Sequence, residues 1–300
     1  MSRVESVDPK MDEPAFHTFL GLDPVETSYA DARVVLLPVP YDATVSYGGG
    51  AKHGPAAIIA ASQQIELWDV ELGCRPANVG IHLLPDVAPN VAGPEPMAAD
   101  IEAACAAAIK DDKFVFTLGG EHGVTIGAAR AQASRHAELS FLQIDAHLDL
   151  RSSYERSPYS HACVAHHLLS MGKLVQVGVR CACEEELALI EQHDLRPFWA
   201  ADLARGAGDW VEDVVAQLSS DVYVTLDIDG LDPAIMPATG TPVPGGLLWY
   251  DTLRLLRAVG ERRNVVGCDL VEFAPIGGQQ AWDFTAAQLA YKMIGYFVGR

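Results

Sequence analysis

Short apolar runs recur along the chain and alternate with longer stretches that have helical periodicity. The apolar runs are rich in Val, Ile, Leu and Phe with little polar alternation, which is typical of strands buried on both faces. They predict six strands, over residues 34–39, 114–118, 139–145, 174–179, 222–227 and 265–271. The stretches between them predict helices over residues 98–109, 124–135, 162–171, 184–193, 210–218, 250–259 and 284–297. This alternation predicts a three-layer α/β/α fold with a mostly parallel, doubly wound sheet.

No linker, low-complexity tract or internal repeat interrupts the pattern. The chain has 300 residues, a length that large α/β folds often reach as one domain. We therefore expect a single domain over residues 31–300. Residues 1–30 precede the first apolar run, and we expect them to form a loosely held N-terminal arm.

The chain is strongly acidic, with 40 Asp and Glu against 21 Lys and Arg and a formal net charge of -19. Such a surface repels nucleic acid and anionic membranes, so neither is expected as a partner, whereas it weakly favours small cationic substrates.

The N-terminus lacks the apolar core of a signal peptide, and no run approaches the ~18 apolar residues of a membrane span. The six cysteines form no C-x-x-C pair, which indicates reduced structural thiols. We expect a cytoplasmic protein.

Acidic and imidazole side chains follow four of the predicted strands, at the point where each strand ends. Ligands of parallel α/β sheets bind beyond the carboxyl ends of the strands, so these side chains are expected to meet at one edge. The four segments are GGEHGVTIG, QIDAHLDLR, TLDIDGLDP and EFAP. They supply His122, then Asp145, His147 and Asp149, then Asp227 and Asp229, and finally Glu272.

Residues two apart in an extended strand point to the same side, so the acids and histidine of DAHLD, and likewise Asp227 and Asp229, are expected to project together. Four carboxylates at one spot repel one another and do not all stay ionised unaided, whereas two divalent cations would neutralise them. Carboxylates with few imidazoles and no thiolate suit Mn²⁺ best, with Fe²⁺, Co²⁺ or Zn²⁺ as alternatives. Singly, His122 could be a loop histidine and Asp227 a turn cap. Together the segments predict a binuclear metal centre.

The four segments resemble signature sequences of the arginase/agmatinase (ureohydrolase) family. PVPYDATVSYGGGAKHGPAAI, near residue 40, is similar to the family's N-terminal substrate-side loop, and DFTAAQLAYKMIGY is similar to its closing helix. The similar segments together span roughly residues 35–297. IMPATGTPVPGG, after Asp232, looks more like agmatinases than like arginases. The resemblance implies an arginase-like fold with one ureohydrolase catalytic domain over residues 31–300.

The resemblance also implies a ligand set for two Mn²⁺ ions per chain, with no other cofactor. One ion would be held by His122, Asp145, Asp149 and Asp227, and the other by Asp145, His147, Asp227 and Asp229. Asp145 and Asp227 would therefore bridge the pair. Glu121, which precedes the ligand His122, is expected to orient it without contacting the metal. Asp232 is expected to be a turn residue.

Two residues outside the metal set are expected to act on the substrate. A guanidinium carbon is a poor electrophile because its charge is delocalised over three nitrogens, so it needs a strong nucleophile. Metal coordination provides one at neutral pH by lowering the pKa of water to about 7. His161 falls close to the family's catalytic histidine and is expected to be the general acid and proton shuttle, although Ala162 follows it where His-Gly is common. Its rivals His166 and His167 lie in an apolar, helix-like run. Glu272 is expected to hold the guanidinium through a planar two-point fork.

The substrate's tail is less determined than its guanidinium group. We expect a small guanidino substrate, agmatine, hydrolysed to putrescine and urea, with aminopropylagmatine, guanidinobutyrate and formiminoglutamate as alternatives. Arg151 would attract a carboxylate tail and repel an amine unless an acid such as Glu155 neutralises it, but it could equally pair internally. A catalytically silent, metal-binding subunit is the alternative outside the enzymes. The resemblance further implies a homo-oligomer, a trimer or hexamer.

Overall fold

The computed structural model describes residues 17–206 and 208–299, and all its strands belong to one sheet. The strands are β1 (Val34–Val39), β2 (Ile81–Leu83), β3 (Phe114–Gly119), β4 (Leu139–Ile144), β5 (Lys173–Val179), β6 (Phe198–Trp199), β7 (Asp221–Asp227) and β8 (Asn264–Val271). Their order is β2-β1-β3-β8-β7-β4-β5-β6, and every neighbouring pair is parallel. The predicted parallel sheet is therefore confirmed.

Helices cover both faces of the sheet. They are α1 (Gly54–Ser62), α2 (Pro94–Lys110), α3 (Thr125–Ala133), α4 (Val164–Met171), α5 (Glu184–Gln192), α6 (Ala200–Ala204), α7 (Trp210–Gln217), α8 (Trp249–Arg262) and α9 (Gln280–Phe297). Helices α1, α7, α8 and α9 pack into one apolar cluster with one face of the sheet, and α2, α3 and α4 into a second cluster with the other. Alternate strand residues feed the two clusters, Val34 and Leu36 on one side and Val35 and Leu37 on the other. This is the predicted three-layer architecture.

The predicted elements match the observed ones closely, with four omissions. Each of the six predicted strands ends within one residue of its predicted bounds. Helix α2 begins earlier than predicted, at Pro94, because proline suits the first turn of a helix, where its missing N–H is not needed. The omitted elements are β2, β6, α1 and α6, which have three, two, nine and five residues.

Part of the predicted N-terminal arm, residues 1–16, lies outside the described residues. From Phe19 onward the chain packs on the sheet, because Phe19, Leu20 and Leu22 are buried in the cluster that contains α1. The backbone N–H of Leu20 also donates to the hydroxyl of Ser62, at 2.8 Å. The domain boundary at residue 31 stays a prediction. Among the described residues, no helix combines the length and the apolar character needed to cross a membrane.

Candidate active site

Four adjacent strands deliver the predicted site residues to one edge of the sheet. In the sheet order, β3, β8, β7 and β4 are neighbours. His122 follows β3 in a short 3₁₀ turn, Glu272 follows β8, Asp227 is the last residue of β7, and Asp145 follows β4. Topology therefore brings together groups that are far apart in the sequence.

The first group of potential ligands surrounds the imidazole of His122. Its Nδ1 lies 3.1 Å from Asp145 Oδ2, 3.0 Å from Asp149 Oδ2 and 3.3 Å from Asp227 Oδ2. His122, Asp145 and Asp227 are all buried and offer ligand atoms within 4.8 Å of one another, close enough to hold one metal ion.

The second group shares Asp145 with the first. His147 Nδ1 lies 3.0 Å from Asp229 Oδ2 and 3.5 Å from Asp145 Oδ1. These three residues again offer ligand atoms within 4.8 Å of one another. Two potential metal sites that share one carboxylate are what a binuclear centre requires, and the six predicted ligands all lie in or beside them.

The side chains of the two Asp-rich segments converge because both segments form turns. The expectation that the alternation of an extended strand would bring them together is therefore wrong. Strand β4 ends at Ile144, before the DAHLD acids, and Asp229 lies in a 3₁₀ turn. In each segment an Asp carboxylate accepts the N–H two residues later, from His147 to Asp145 at 2.6 Å and from Asp229 to Asp227 at 2.8 Å. Such aspartate-led turns fold the chain back on itself.

His122 is oriented from behind by hydroxyl groups. Its Nε2 lies 3.0 Å from Thr225 Oγ1, and that hydroxyl donates to Asp269 Oδ1 at 2.6 Å. Asp269 also accepts from the hydroxyl of Tyr223, at 2.7 Å. Because the Thr225 proton is used on Asp269, Thr225 accepts from Nε2–H, which leaves a lone pair on Nδ1. The Nδ1 atom is buried without a hydrogen-bond partner, as expected for a nitrogen that faces a metal ion.

The carboxylates cannot all carry charge without cations. Burial, together with the charge of Asp145, raises the pKa of Asp149 to about 6, and burial with the charge of Asp229 raises the pKa of Asp227 well above its usual range. Burial also raises the pKa of Asp145, but the imidazoles of His122 and His147 beside it outweigh that effect and hold the pKa low. Since cations would relieve the repulsion, the donor set fits two divalent metal ions.

Glu272 lies in the cleft that contains the two groups of potential metal ligands. Its Oε1 accepts a hydrogen bond from the backbone N–H of His122, at 2.6 Å, and its own N–H donates to Gly120 O at 2.8 Å. Its backbone has φ 60°, a conformation that is unfavourable for a residue with a side chain. Burial raises the pKa of Glu272 to about 8, so a cationic group placed beside it would favour its ionised form.

His161 lies in the cleft, whereas its rivals do not. Its ring Nδ1 is 3.3 Å from the hydroxyls of Thr44 and Ser160. Burial lowers the pKa of His161 to about 4, so the ring is neutral at pH 7. His166 is exposed, and His167 Nε2 contacts the carbonyl of Pro158 at 2.8 Å, away from the cleft.

Two loops form the outer walls of the cleft and meet at a pair of glycines. A Cβ on Gly48 would lie 2.7 Å from Gly240 O, and one on Gly240 would lie 2.6 Å from Gly48 O, so neither position accommodates a side chain. The lining residues are Val45, Ser46, Tyr47, Gly48, His122, His147, Asp149, His161, Asp227, Asp229, Gly240, Thr241 and Glu272. Arg151 is outside this set; its guanidinium lies 4.7 Å over the ring of Tyr154.

The other two acidic residues singled out in the sequence have local partners. Glu121 is fully buried and accepts hydrogen bonds from the N–H and hydroxyl of Thr44, at 2.6 and 3.0 Å. Asp232 accepts from the N–H groups of Ala234 and Gly245, at 2.9 and 2.7 Å, as predicted for a turn residue.

Arg180 is a residue that sequence reasoning missed. It follows β5, and its guanidinium donates to the carbonyls of Asp229 at 2.5 Å, Val243 at 2.8 Å and Gly178 at 2.9 Å. It thereby ties the loop that carries Asp229 to the end of the sheet. The one signal in the sequence was its place after a strand, at the same edge as the acids.

Comparison with known proteins agrees with this geometry. Residues 32–295 match the sequence model of the Arginase family. The N(1)-aminopropylagmatine ureohydrolase of Synechocystis sp. is 41% identical over 280 residues, which cover 90% of this chain and 91% of the relative. The enzyme of the same name from Thermus thermophilus is 41% identical over 90% of this chain and 92% of its own. The crystal structure of agmatine ureohydrolase of Thermoplasma volcanium superposes with a TM-score of 0.84 at 31% identity, covering 91% of this chain and 93% of that one. The chain belongs to the arginase family of ureohydrolases.

Proposed function

We propose that the protein hydrolyses the guanidino group of N(1)-aminopropylagmatine in a metal-dependent reaction that releases urea and a polyamine. The observation that carries this proposal is a pair of His/Asp groups sharing Asp145 in a cleft whose described lining includes four acidic residues and no Lys or Arg. The two relatives at 41% identity carry the name of this activity.

The absence of lysine and arginine from the described lining of the cleft supports a cationic tail. The carboxylate tails of guanidinobutyrate and formiminoglutamate would find no lysine or arginine among the described lining residues, whose acidic side chains are assigned to the metals and the guanidinium. Arg151, which follows the proposed ligand Asp149 by two residues, is stacked on the ring of Tyr154. At the mouth, Tyr47 is 86% exposed, and an aromatic face there can attract an ammonium group. Agmatine has the same type of tail and is the second candidate, supported by the similar agmatine ureohydrolase structure.

The residues that would hold the metals are those of the two groups. His122, Asp145, Asp149 and Asp227 are assigned to one Mn²⁺, and Asp145, His147, Asp227 and Asp229 to the other. Oxygen donors with a minority of imidazoles suit this ion. When bound, the ions supply a hydroxide nucleophile at neutral pH by lowering the pKa of water.

The remaining chemistry is assigned to Glu272 and His161. The Glu272 carboxylate pairs with the guanidinium N–H groups and orients the guanidinium carbon. His161 is neutral at pH 7, so it first takes up the proton that the attacking water loses and then delivers it to the leaving amine nitrogen. The low pKa therefore favours a shuttle over an acid that is already charged in the resting enzyme.

The test of the proposal is hydrolysis of four substrates by Mn²⁺-loaded protein, measured as urea release from the three guanidino compounds and as formamide release from formiminoglutamate. We expect kcat/KM for aminopropylagmatine to exceed that for agmatine by about tenfold or more, because its additional ammonium group can contact the exposed ring of Tyr47 at the mouth of the cleft. A higher value for agmatine would replace the first candidate by the second. A preference for guanidinobutyrate or formiminoglutamate would overturn the cationic-tail argument, and hydrolysis of none of the four would favour a silent metal-binding subunit.

Metal content tests the binuclear assignment separately. We expect two Mn²⁺ per chain by elemental analysis, and a loss of most activity in Asp229→Asn. Asp202→Asn, which alters an exposed ion pair with Arg205, serves as the matched control and should keep full activity. Fewer than two ions after loading, or full activity of Asp229→Asn, would contradict the assignment.

We also propose that the protein is a homo-oligomer, a trimer or hexamer, as the family resemblance implies. Sedimentation equilibrium measures this directly, and a monomer at micromolar concentration would contradict it.

A further inference from the structure

Thr44 occupies the space between a buried carboxylate and the cleft histidine. It lies in the loop after β1, more than seventy residues from Glu121 and more than a hundred from His161. Its N–H donates to Glu121 Oε2 at 2.6 Å and its hydroxyl donates to Glu121 Oε1 at 3.0 Å. Because Glu121 is fully buried and held at both oxygens, the Thr44 side chain is fixed in one orientation.

The Thr44 hydroxyl has one proton, and that proton is directed to Glu121. The lone pairs of Oγ1 therefore face His161. One accepts the backbone N–H of His161, at 3.0 Å, and the other lies 3.3 Å from the ring Nδ1. With Glu121 as the carboxylate that the two Thr44 donors indicate, an oxygen in this position can only accept, and Nδ1 carries the proton of the neutral ring. The Ser160 hydroxyl, which can accept as well as donate, then accepts from the same Nδ1–H.

The other ring nitrogen then has a free lone pair. Both hydroxyl contacts of the ring, from Thr44 and Ser160, are at Nδ1, while the ring itself lines the cleft. Nε2 is thus the nitrogen left to face the metal groups and the substrate. A neutral histidine that takes up a proton must present an unprotonated nitrogen on that side.

We propose that Thr44 is a positioning residue for His161, because its hydroxyl fixes the tautomer with the proton on Nδ1 and directs the unprotonated Nε2 into the cleft. The consequence for catalysis rests on the proposed function, since it requires that His161 carry the proton to the leaving amine. The tautomer itself does not depend on that function and can be measured without substrate.

The variant that tests the proposal is Thr44→Val, which keeps the branched shape and removes the hydroxyl. We expect kcat to fall about 10- to 100-fold with KM changed less than about threefold, because a general acid–base group contributes roughly 10²- to 10⁴-fold and here is displaced, not deleted. Thr44→Ser restores the hydroxyl and should recover most of kcat. Thr285→Val, which also removes one hydroxyl but from a partly exposed site in α9 outside the cleft, controls for the substitution and should leave kcat unchanged.

A double-variant comparison separates positioning from a general structural effect. In a His161→Ala background, Thr44→Val should change kcat less than about twofold, because the group through which it acts is already gone. A further tenfold loss in that background would show that Thr44 acts elsewhere and would overturn the proposal. A kcat of Thr44→Val within about twofold of the original protein would overturn it as well.

Nitrogen NMR of ¹⁵N-histidine-labelled protein gives the readout that needs no activity. The His161 signals, assigned by their loss in His161→Ala, should show a protonated Nδ1 and an unprotonated Nε2, and Thr44→Val should shift this balance. A proton on Nε2 in the original protein would overturn the proposal, and so would a balance that changes in Ser160→Ala and not in Thr44→Val. If no guanidino substrate is hydrolysed, the proposed function fails while this measurement still decides the tautomer.

Discussion

Replacing Arg180 by methionine tests whether one side chain holds the Asp229 loop in place. Methionine is similar in length and fills the space of the arginine stem, but it donates no hydrogen bond. The guanidinium makes four contacts of 3.0 Å or less, two to Val243 O and one each to Gly178 O and Asp229 O. The substitution therefore leaves three backbone carbonyls without this donor.

The expected loss of stability follows from these contacts. A hydrogen bond from a charged donor contributes ~1.5–3 kcal/mol when it is buried. Arg180 is only partly buried, and water can replace some of its contacts, so ~1 kcal/mol for each of the four is the appropriate figure. We expect Arg180→Met to reduce the free energy of unfolding by about 4 kcal/mol, and Arg180→Lys, which keeps the charge without the planar fork, by about 2 kcal/mol.

Denaturant unfolding and metal analysis together give the assay. Arg205→Met is the control, because Arg205 is exposed and pairs with exposed Asp202, so its loss should cost less than ~0.5 kcal/mol. Movement of the Asp229 loop should also weaken metal binding by Asp145, His147 and Asp229 before it weakens binding at the group around His122. At limiting metal, Arg180→Lys should therefore retain closer to one Mn²⁺ than two. An Arg180→Met variant within ~1 kcal/mol of the control would refute the reasoning, since four contacts would then carry almost no stability.

Three further predictions address the site itself. Thr225→Val removes the acceptor for His122 Nε2–H and should weaken metal binding about 10- to 100-fold by calorimetric titration, whereas Thr225→Ser should bind normally. The metal-free protein should lose thermal stability as the pH rises from about 5 to about 8. Asp149 and Glu272 have raised folded-state pKa values of about 6 and about 8, so the folded state binds more protons than the unfolded state over this range. A melting temperature that rises over the same range would contradict the assignment. Gly240→Ala places a Cβ 2.6 Å from a carbonyl of the facing loop and should raise KM at least about tenfold in the urea-release assay, with the melting temperature as a check on folding.

The sequence was a good guide to the sheet because its long strands are buried on both faces. Strands such as β4 and β7 consist almost entirely of buried residues, so their apolar runs stand out without any tertiary information. Strand β2 has three residues and β6 has two, too few for a periodicity to be visible. Helix α1 was missed for a different reason, since its sequence, GPAAIIAAS, is apolar or small on every side and shows no amphipathic pattern.

The site was predictable where its chemistry is local and unpredictable where it depends on distant backbone. DAHLD carries its spacing within five residues, and the structure brings these acids together, although through an aspartate-led turn and not through strand alternation. Thr44 and Arg180 have no such signature. Thr44 matters because of a contact to His161, and Arg180 because of carbonyls that belong to residues 229–243. Neither relation can be read before the fold is known.

The site opposes folding in two separate ways, and metal binding relieves only one of them. Buried acids that raise one another's pKa are an electrostatic cost, which divalent cations remove. Asp149 and Glu272 also adopt φ of 52° and 60°, a backbone cost that no ion changes. The strands that carry these residues are buried in the middle of the sheet, where apolar packing on both faces supplies stability that does not depend on metal. The metal-free protein should therefore be folded but less stable than the loaded protein, and the difference should depend on metal concentration as a binding equilibrium requires.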